Sequence, residues 1–103
     1  MAFFSTTITP TATPQLVMAN QSGITRATQI QINVRSMGDA SYIAIGGLNS
    51  QDRRLNVAGA NIGMDTPIGK RYLDLRTLFI SSDGTTPVVE IIGDAFVDGG
   101  NSA

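Results

Sequence analysis

Thr28-Gln29-Ile30-Gln31-Ile32-Asn33-Val34-Arg35 alternates without a break: Thr28, Ile30, Ile32 and Val34 fall on one side, Gln29, Gln31, Asn33 and Arg35 on the other. A period of two is that of a strand, and an apolar side set against amides and a guanidinium marks a strand with one dry and one wet face. Met37-Gly38-Asp39 then reads as a turn and Ser41 to Ile45 as a second strand, closed by Gly46 and Gly47, so the two are expected to form a hairpin. Further along, Asn49 to Asp52 is a polar turn, Arg53 to Val57 a short strand and Ala58 to Gly63 a glycine-bearing loop. Pro67 leaves Asp65 to Lys70 open between a loop and an edge strand, where proline is tolerated. Leu73 to Leu75 fits one helical turn and Thr77 to Ser81 another strand. Ser82-Asp83-Gly84-Thr85 is expected to be a tight hairpin turn in which the Asp-Gly pair supplies positive φ. Val88 to Val97 is the last long strand, kinked at Gly93.

Strands recurring roughly every 8–12 residues with turn signals between them predict an all-β chain, a small antiparallel β-sandwich or barrel of jelly-roll-like type. In front of it, residues 1–25 contain no charged side chain, and Pro10 and Pro14 remove backbone donors and forbid a helix. Residues 1–23 are therefore expected to be an extended N-terminal arm and residues 24–103 the β-sandwich domain. Phe3, Phe4, Ile8, Leu16, Val17 and Met18 are too apolar for a disordered tail. They are expected to pack on the domain's own sheet or on a neighbouring subunit, and they are the candidate partner-binding residues.

A chain of 103 residues buries only roughly 60–65% of its unfolded surface. The usual supplements to such a core are disulfides, a metal or association, and the chain has no cysteine and no histidine. Association is thus the expected extra source of stability. The same absences exclude catalytic sites and zinc sites built on either residue, leaving only carboxylates, hydroxyls and the single lysine, Lys70. No activating arrangement of these is visible, so neither an enzyme nor a cofactor is expected.

The formal net charge is −1, which gives no electrostatic footprint for nucleic acid or an anionic membrane. No window approaches a membrane-spanning length of apolar residues, and the amino terminus lacks the pattern of a secretion signal. The charges are nevertheless segregated. All seven basic residues lie between Arg26 and Arg76, and beyond Arg76 every charge is acidic: Asp83, Glu90, Asp94 and Asp98. Such polarity suits subunits that meet head to tail.

Gly63 to Lys70 superficially resembles a phosphate-binding loop, yet five residues separate Gly63 from Gly69 and Arg71 stands where Ser or Thr is needed. The acidic residues Asp83, Glu90, Asp94 and Asp98 match no calcium-loop spacing. Basic clusters occur at Arg53 and Arg54 beside Asp52, and at Lys70 and Arg71 with Arg76. Too few aromatics are interleaved for stacking on bases, so Arg53, Arg54 and Arg71 are the candidates for ion pairs with a neighbouring subunit. Asn20-Gln21-Ser22 fits the glycosylation pattern, which without a secretion signal carries little weight.

From Ala27 to Phe96 the order of elements is a polar-alternating strand (Ala27 to Arg35), Tyr42-Ile43-Ala44-Ile45-Gly46, Arg54-Leu55 leading to a glycine, Tyr72-Leu73-Asp74-Leu75 before Leu78-Phe79-Ile80, Ser82-Asp83-Gly84, and Val88-Val89-Glu90-Ile91-Ile92-Gly93. This order resembles small β-rich virion proteins of tailed phages, particularly the head decoration or cement proteins. The resemblance implies a homo-oligomer, a trimer, made in the host cytoplasm and seated on the capsid exterior, where it clamps adjacent major capsid protein subunits and stabilises the shell. Under that expectation the uncharged arm is suited to add a strand to an exposed sheet edge on a neighbour, with proline lowering the entropy of the free arm and threonine tolerating extended geometry. A neck, tail or fibre position in the virion, and a free carbohydrate-binding β-sandwich domain, remain alternatives.

Overall fold

A computed structural model describes residues 2–21 and 23–96 of the chain. Ser22, Val97 and Asp98, which figured in the expectations above, lie outside them. The strands are β1 (Ala2–Ile8), β2 (Gln15–Leu16), β3 (Arg26–Ser36), β4 (Ile43–Gly47), β5 (Ser50–Leu55), β6 (Asn61–Asp65), β7 (Leu73–Asp74), β8 (Phe79–Ser82) and β9 (Val88–Ala95). A single 3-10 turn, Leu75–Thr77, follows β7 and is capped by Asp74, whose carboxylate accepts from the Arg76 N–H at 2.9 Å. The protein is an antiparallel β-sandwich. One sheet has the order β1-β9-β3-β6, with β7 also pairing with β3, and the other the order β2-β8-β4-β5.

The interior follows from the alternation of β3. Ile30, Ile32 and Val34 face inward and meet Ile43, Ile45 and Ile80 of the second sheet, with Val89 and Ile91 of β9 and Leu75 and Leu78 completing the core. One detail departs from the simple period of two. A register shift between Ala27 and Gln29 in the β3–β9 pairing turns Thr28 out to solvent and brings Ala27 into the core. A bulge adds a residue to one strand and flips the faces beyond it. Just past the bulge Gly93 pairs with Ile30, and a Cβ there would come within 2.3 Å of the Gln29 carbonyl oxygen. The glycine read from sequence as a kink is the gap into which β3 presses.

Only β4 and β5 pair as sequence neighbours among the described strands. The two hairpins expected at 37–39 and 82–85 do not form. Residues 37–42 and 83–87 each carry the chain from one sheet to the other, so β3 does not pair with β4, nor β8 with β9. Gly84 does not have the positive φ expected of it. It is buried instead against Asp39 and Ala40, where a Cβ would approach within 2.5 Å of Asp39 Oδ1. The stretch read as a loop at 58–63 also yields strand from Asn61, because Ile62 and Met64 alternate inward against the core while Asn61, Gly63 and Asp65 face out.

Residues 2–21 do not form an arm outside a domain that begins at residue 24, as their lack of charge suggested. β1 pairs with β9 along its whole length, from Ala2 opposite Ala95 to Ile8 opposite Val89. Phe4, Ile8, Val17 and Met18 belong to the same interior cluster as β3 and β9. The physical signal was present: Phe4, Thr6, Ile8 and Pro10 recur at a period of two, and three of them are buried. Beyond β1, the Ser82 hydroxyl donates to the Pro10 carbonyl at 2.7 Å and the Ser82 N–H donates to the Thr11 carbonyl at 2.8 Å, which ties the crossing segment to β8.

Candidate functional site

Burial divides the six apolar residues expected to bind a partner. Phe4 is 6% exposed, Ile8 3%, Val17 0% and Met18 7%, so these four hold the chain's own core and are not available as contacts. Leu16 is half-buried in β2 opposite Phe79. Phe3 alone stands out, at 72% exposure, on the outer face of the five-stranded sheet.

What the leading segment does offer is an edge. β1 is terminal in its sheet, and among the described residues no strand lies on its far side. In an antiparallel pair alternate residues direct both backbone groups to the same side. The Thr7 carbonyl accepts from Asn20 Nδ2 at 2.9 Å, a partner outside the sheet, so Phe3 and Ser5, which share its alternation, direct their N–H and C=O groups outward as well. The edge from Phe3 to Ser5 is thus an open row of donors and acceptors, flanked only by uncharged side chains. Native sheets usually protect such edges with lysine, proline, bulges or a covering segment.

The other long edge is protected in that way. β5 carries Asp52, Arg53 and Arg54 in sequence, all exposed. Arg53 pairs opposite Ile45 and Arg54 opposite Ala44. The Arg54 guanidinium lies 4.1 Å from the centroid of the Tyr42 ring, which fixes a cation over an aromatic face within the sheet. Arg71 is far from both along the chain and belongs to another cluster. Its guanidinium is 5.8 Å from the Phe96 ring, and that ring packs at 5.2 Å against Tyr72, with Arg26 5.1 Å from the Tyr72 centroid. The two basic clusters read from sequence, Arg53 with Arg54 and Arg71 with Lys70 and Arg76, thus stand at separate places on the fold. A cavity of about 520 Å³ beside the second cluster is lined by Pro67, Lys70, Arg71, Tyr72 and Asp74. Asp74 is held below the ordinary carboxylate value chiefly by hydrogen bonds from Arg76, whose Nε donates at 3.0 Å.

The outer face of the five-stranded sheet is polar and continuous. Gln29, Gln31, Asn33 and Arg35 of β3 stand beside Asp94, Ile92 and Glu90 of β9. Gln29 Nε2 donates to Asp94 Oδ2 at 3.1 Å, and Arg35 forms an ion pair with Glu90. This is the wet face read from the alternation of β3. Its extension onto β1 and β6 was not legible, because neither segment was recognised as strand. Among the described residues no group of three or more acidic side chains converges as a metal site, and no helix is long and apolar enough to cross a membrane.

No protein family, no curated protein and no solved structure matches the chain.

Proposed function

We propose that the chain is a structural assembly protein of a virion, a head decoration protein of the tailed-phage type that sits on the capsid exterior as a homotrimer and stabilises the shell against its neighbours, the major capsid protein and copies of itself. The observation that carries the reading is the contrast between the edges of the two sheets. β5 is guarded by three consecutive charged residues, whereas β1 is uncharged and open from Phe3 to Ser5. Strand addition at such an edge gives affinity through backbone hydrogen bonds, while an exposed side chain beside it, here Phe3, adds apolar contact. A specific contact of this kind buries about 1,600 Å². The role given to residues 1–23 from their composition thus passes to the edge of a folded strand.

Ser5→Lys tests this directly, since an exposed lysine on an edge strand opposes pairing while leaving the strand's own hydrogen bonds intact. Ser5→Pro is a second variant: it removes an N–H that points away from β9. Native mass measurement should give three protomers for the wild type and one for either variant. Wild-type protein should also be retained on undecorated capsids, and the variants should be lost from them. A wild type that is a lone monomer, and that neither variant releases from shells, refutes the reading.

A further inference from the structure

The register of the five-stranded sheet builds a groove on its outer face. One row runs Phe3, Asp94, Gln29, Asp65 across β1, β9, β3 and β6, and the next runs Ser5, Ile92, Gln31, Gly63. Between them opens a cavity of about 410 Å³, within the range of roughly 300–1,000 Å³ typical of small-ligand sites. Four properties limit what it can hold.

No cation lines the groove, while Asp65 and Asp94 do. An anionic ligand such as a phosphate or a carboxylate would meet two negative charges without compensation. The polar lining consists of two amides and two carboxylates; Gln29 Nε2 already donates to Asp94 Oδ2, while Gln31 and Asp65 keep the pair of hydrogen-bonding atoms at fixed spacing that such planar groups present. That spacing matches vicinal hydroxyls. At one end the Phe3 ring is 72% exposed, an apolar face of the kind on which the C–H face of a pyranose rests.

The fourth property is Gly63. Glycine inside a strand weakens it and often marks close approach of a ligand or another backbone. Here neither backbone nor packing requires it: Gly63 does not have positive φ, and a Cβ placed on it meets nothing within 4 Å. The effect of the missing side chain is to leave the end of the groove open beside Gln31.

We propose that this groove binds a neutral saccharide, with Gln29, Gln31, Asp94 and Asp65 pairing with ring hydroxyls and Phe3 stacking on one sugar face. The groove shares Phe3 with the partner contact proposed at β1; its other lining groups lie on the outer face, whereas strand addition uses backbone groups in the plane of the sheet.

The test is a heteronuclear NMR titration of the full chain with cellohexaose, mannohexaose and maltohexaose as separate probes. At least one of them should shift the side-chain amides of Gln29 and Gln31 and the backbone amide of Gly63. Phe3→Ala should weaken that binding roughly tenfold. Gly63→Val should abolish it with the melting temperature unchanged or raised, a result that loss of folding would not give. The proposal is overturned if none of the three moves these resonances at roughly 10 mM, or if the shifts survive both variants. It is equally overturned if an extended peptide moves the same resonances and the sugars do not.

Discussion

Asp39 and Asp83 each close the loop that carries the other. Asp39 Oδ1 accepts the backbone N–H of Thr85 at 2.7 Å and of Thr86 at 2.9 Å, and Oδ2 accepts the Thr85 hydroxyl at 2.8 Å. In return Asp83 Oδ1 accepts the N–H of Ser41 at 2.8 Å and of Tyr42 at 3.2 Å, while the Ser41 hydroxyl donates to Oδ2. The two connections that cross between the sheets are therefore satisfied by one another's side chains, as backbone donors outside the ladders must be.

Hydrogen bonds to a carboxylate favour its charged form. The Thr85 hydroxyl and then the Thr85 N–H hold Asp39 well below its ordinary value of 3.8, and the Ser41 hydroxyl, first among several donors, lowers Asp83. A carboxyl depressed in the folded state contributes stability that is complete above its unfolded value and is lost as pH falls through the folded one. Thermal stability should thus be level near neutrality and decline below about pH 4. Asp39→Asn with Asp83→Asn should lower the melting temperature at pH 7 by roughly 4 °C or more and flatten the acid decline, leaving the share due to Asp74. Melting curves from pH 7 to pH 2 check both; an unaltered acid limb in the double variant would contradict the clasp.

Phe3 and Phe4 are adjacent in sequence and opposite in consequence. Phe4→Ala should cost about 3–5 kcal/mol, as for a buried aromatic, whereas Phe3→Ala should change stability by no more than about 0.5 kcal/mol. Urea unfolding of the two variants measures the difference. Removal of residues 1–10 should unfold the domain outright, since it takes away Phe4, Ile8 and the whole β1 ladder.

Gly93→Ala should destabilise by about 1–3 kcal/mol. The new Cβ would meet the Gln29 carbonyl at 2.3 Å and Ile30 Cγ2 at 2.9 Å, and backbone on the bulged strand yields less readily than the end of a flexible side chain. Gly63→Ala should do the opposite and stabilise by about 0.4–1 kcal/mol, because its conformation suits any residue and the unfolded chain loses freedom. Comparing their midpoints in urea separates a glycine that the fold requires from one that it does not.

The strand character of β3 was legible because one strong alternation had no competing signal. The sandwich class followed from the spacing of turns. What was lost was connectivity. Asp83-Gly84 and Met37-Gly38-Asp39 carry turn residues, and turn residues announce a change of direction without stating which strand receives the chain. β1 was missed because the absence of charge from residues 1–25 outweighed the alternation of Phe4, Thr6 and Ile8. The absence of charge does describe the exposed edge of that strand, and the alternation describes its buried side. Of the six apolar candidate partner-binding residues only Phe3 is exposed, since sequence alone does not say which of two neighbouring phenylalanines faces inward.

The position of β9 bears on how the protein is made. It lies between β1 and β3 and pairs with both, so the larger sheet cannot close until β9 has left the ribosome. Until β9 emerges, β1 lacks the strand with which it pairs, and its uncharged backbone is exposed along two sides at once. Pairings between distant parts of a chain form slowly, and unpaired apolar strands aggregate in the interval. Yield in a host cell should therefore depend on how quickly translation passes β9, and on holding chaperones that occupy the nascent β1 until it does.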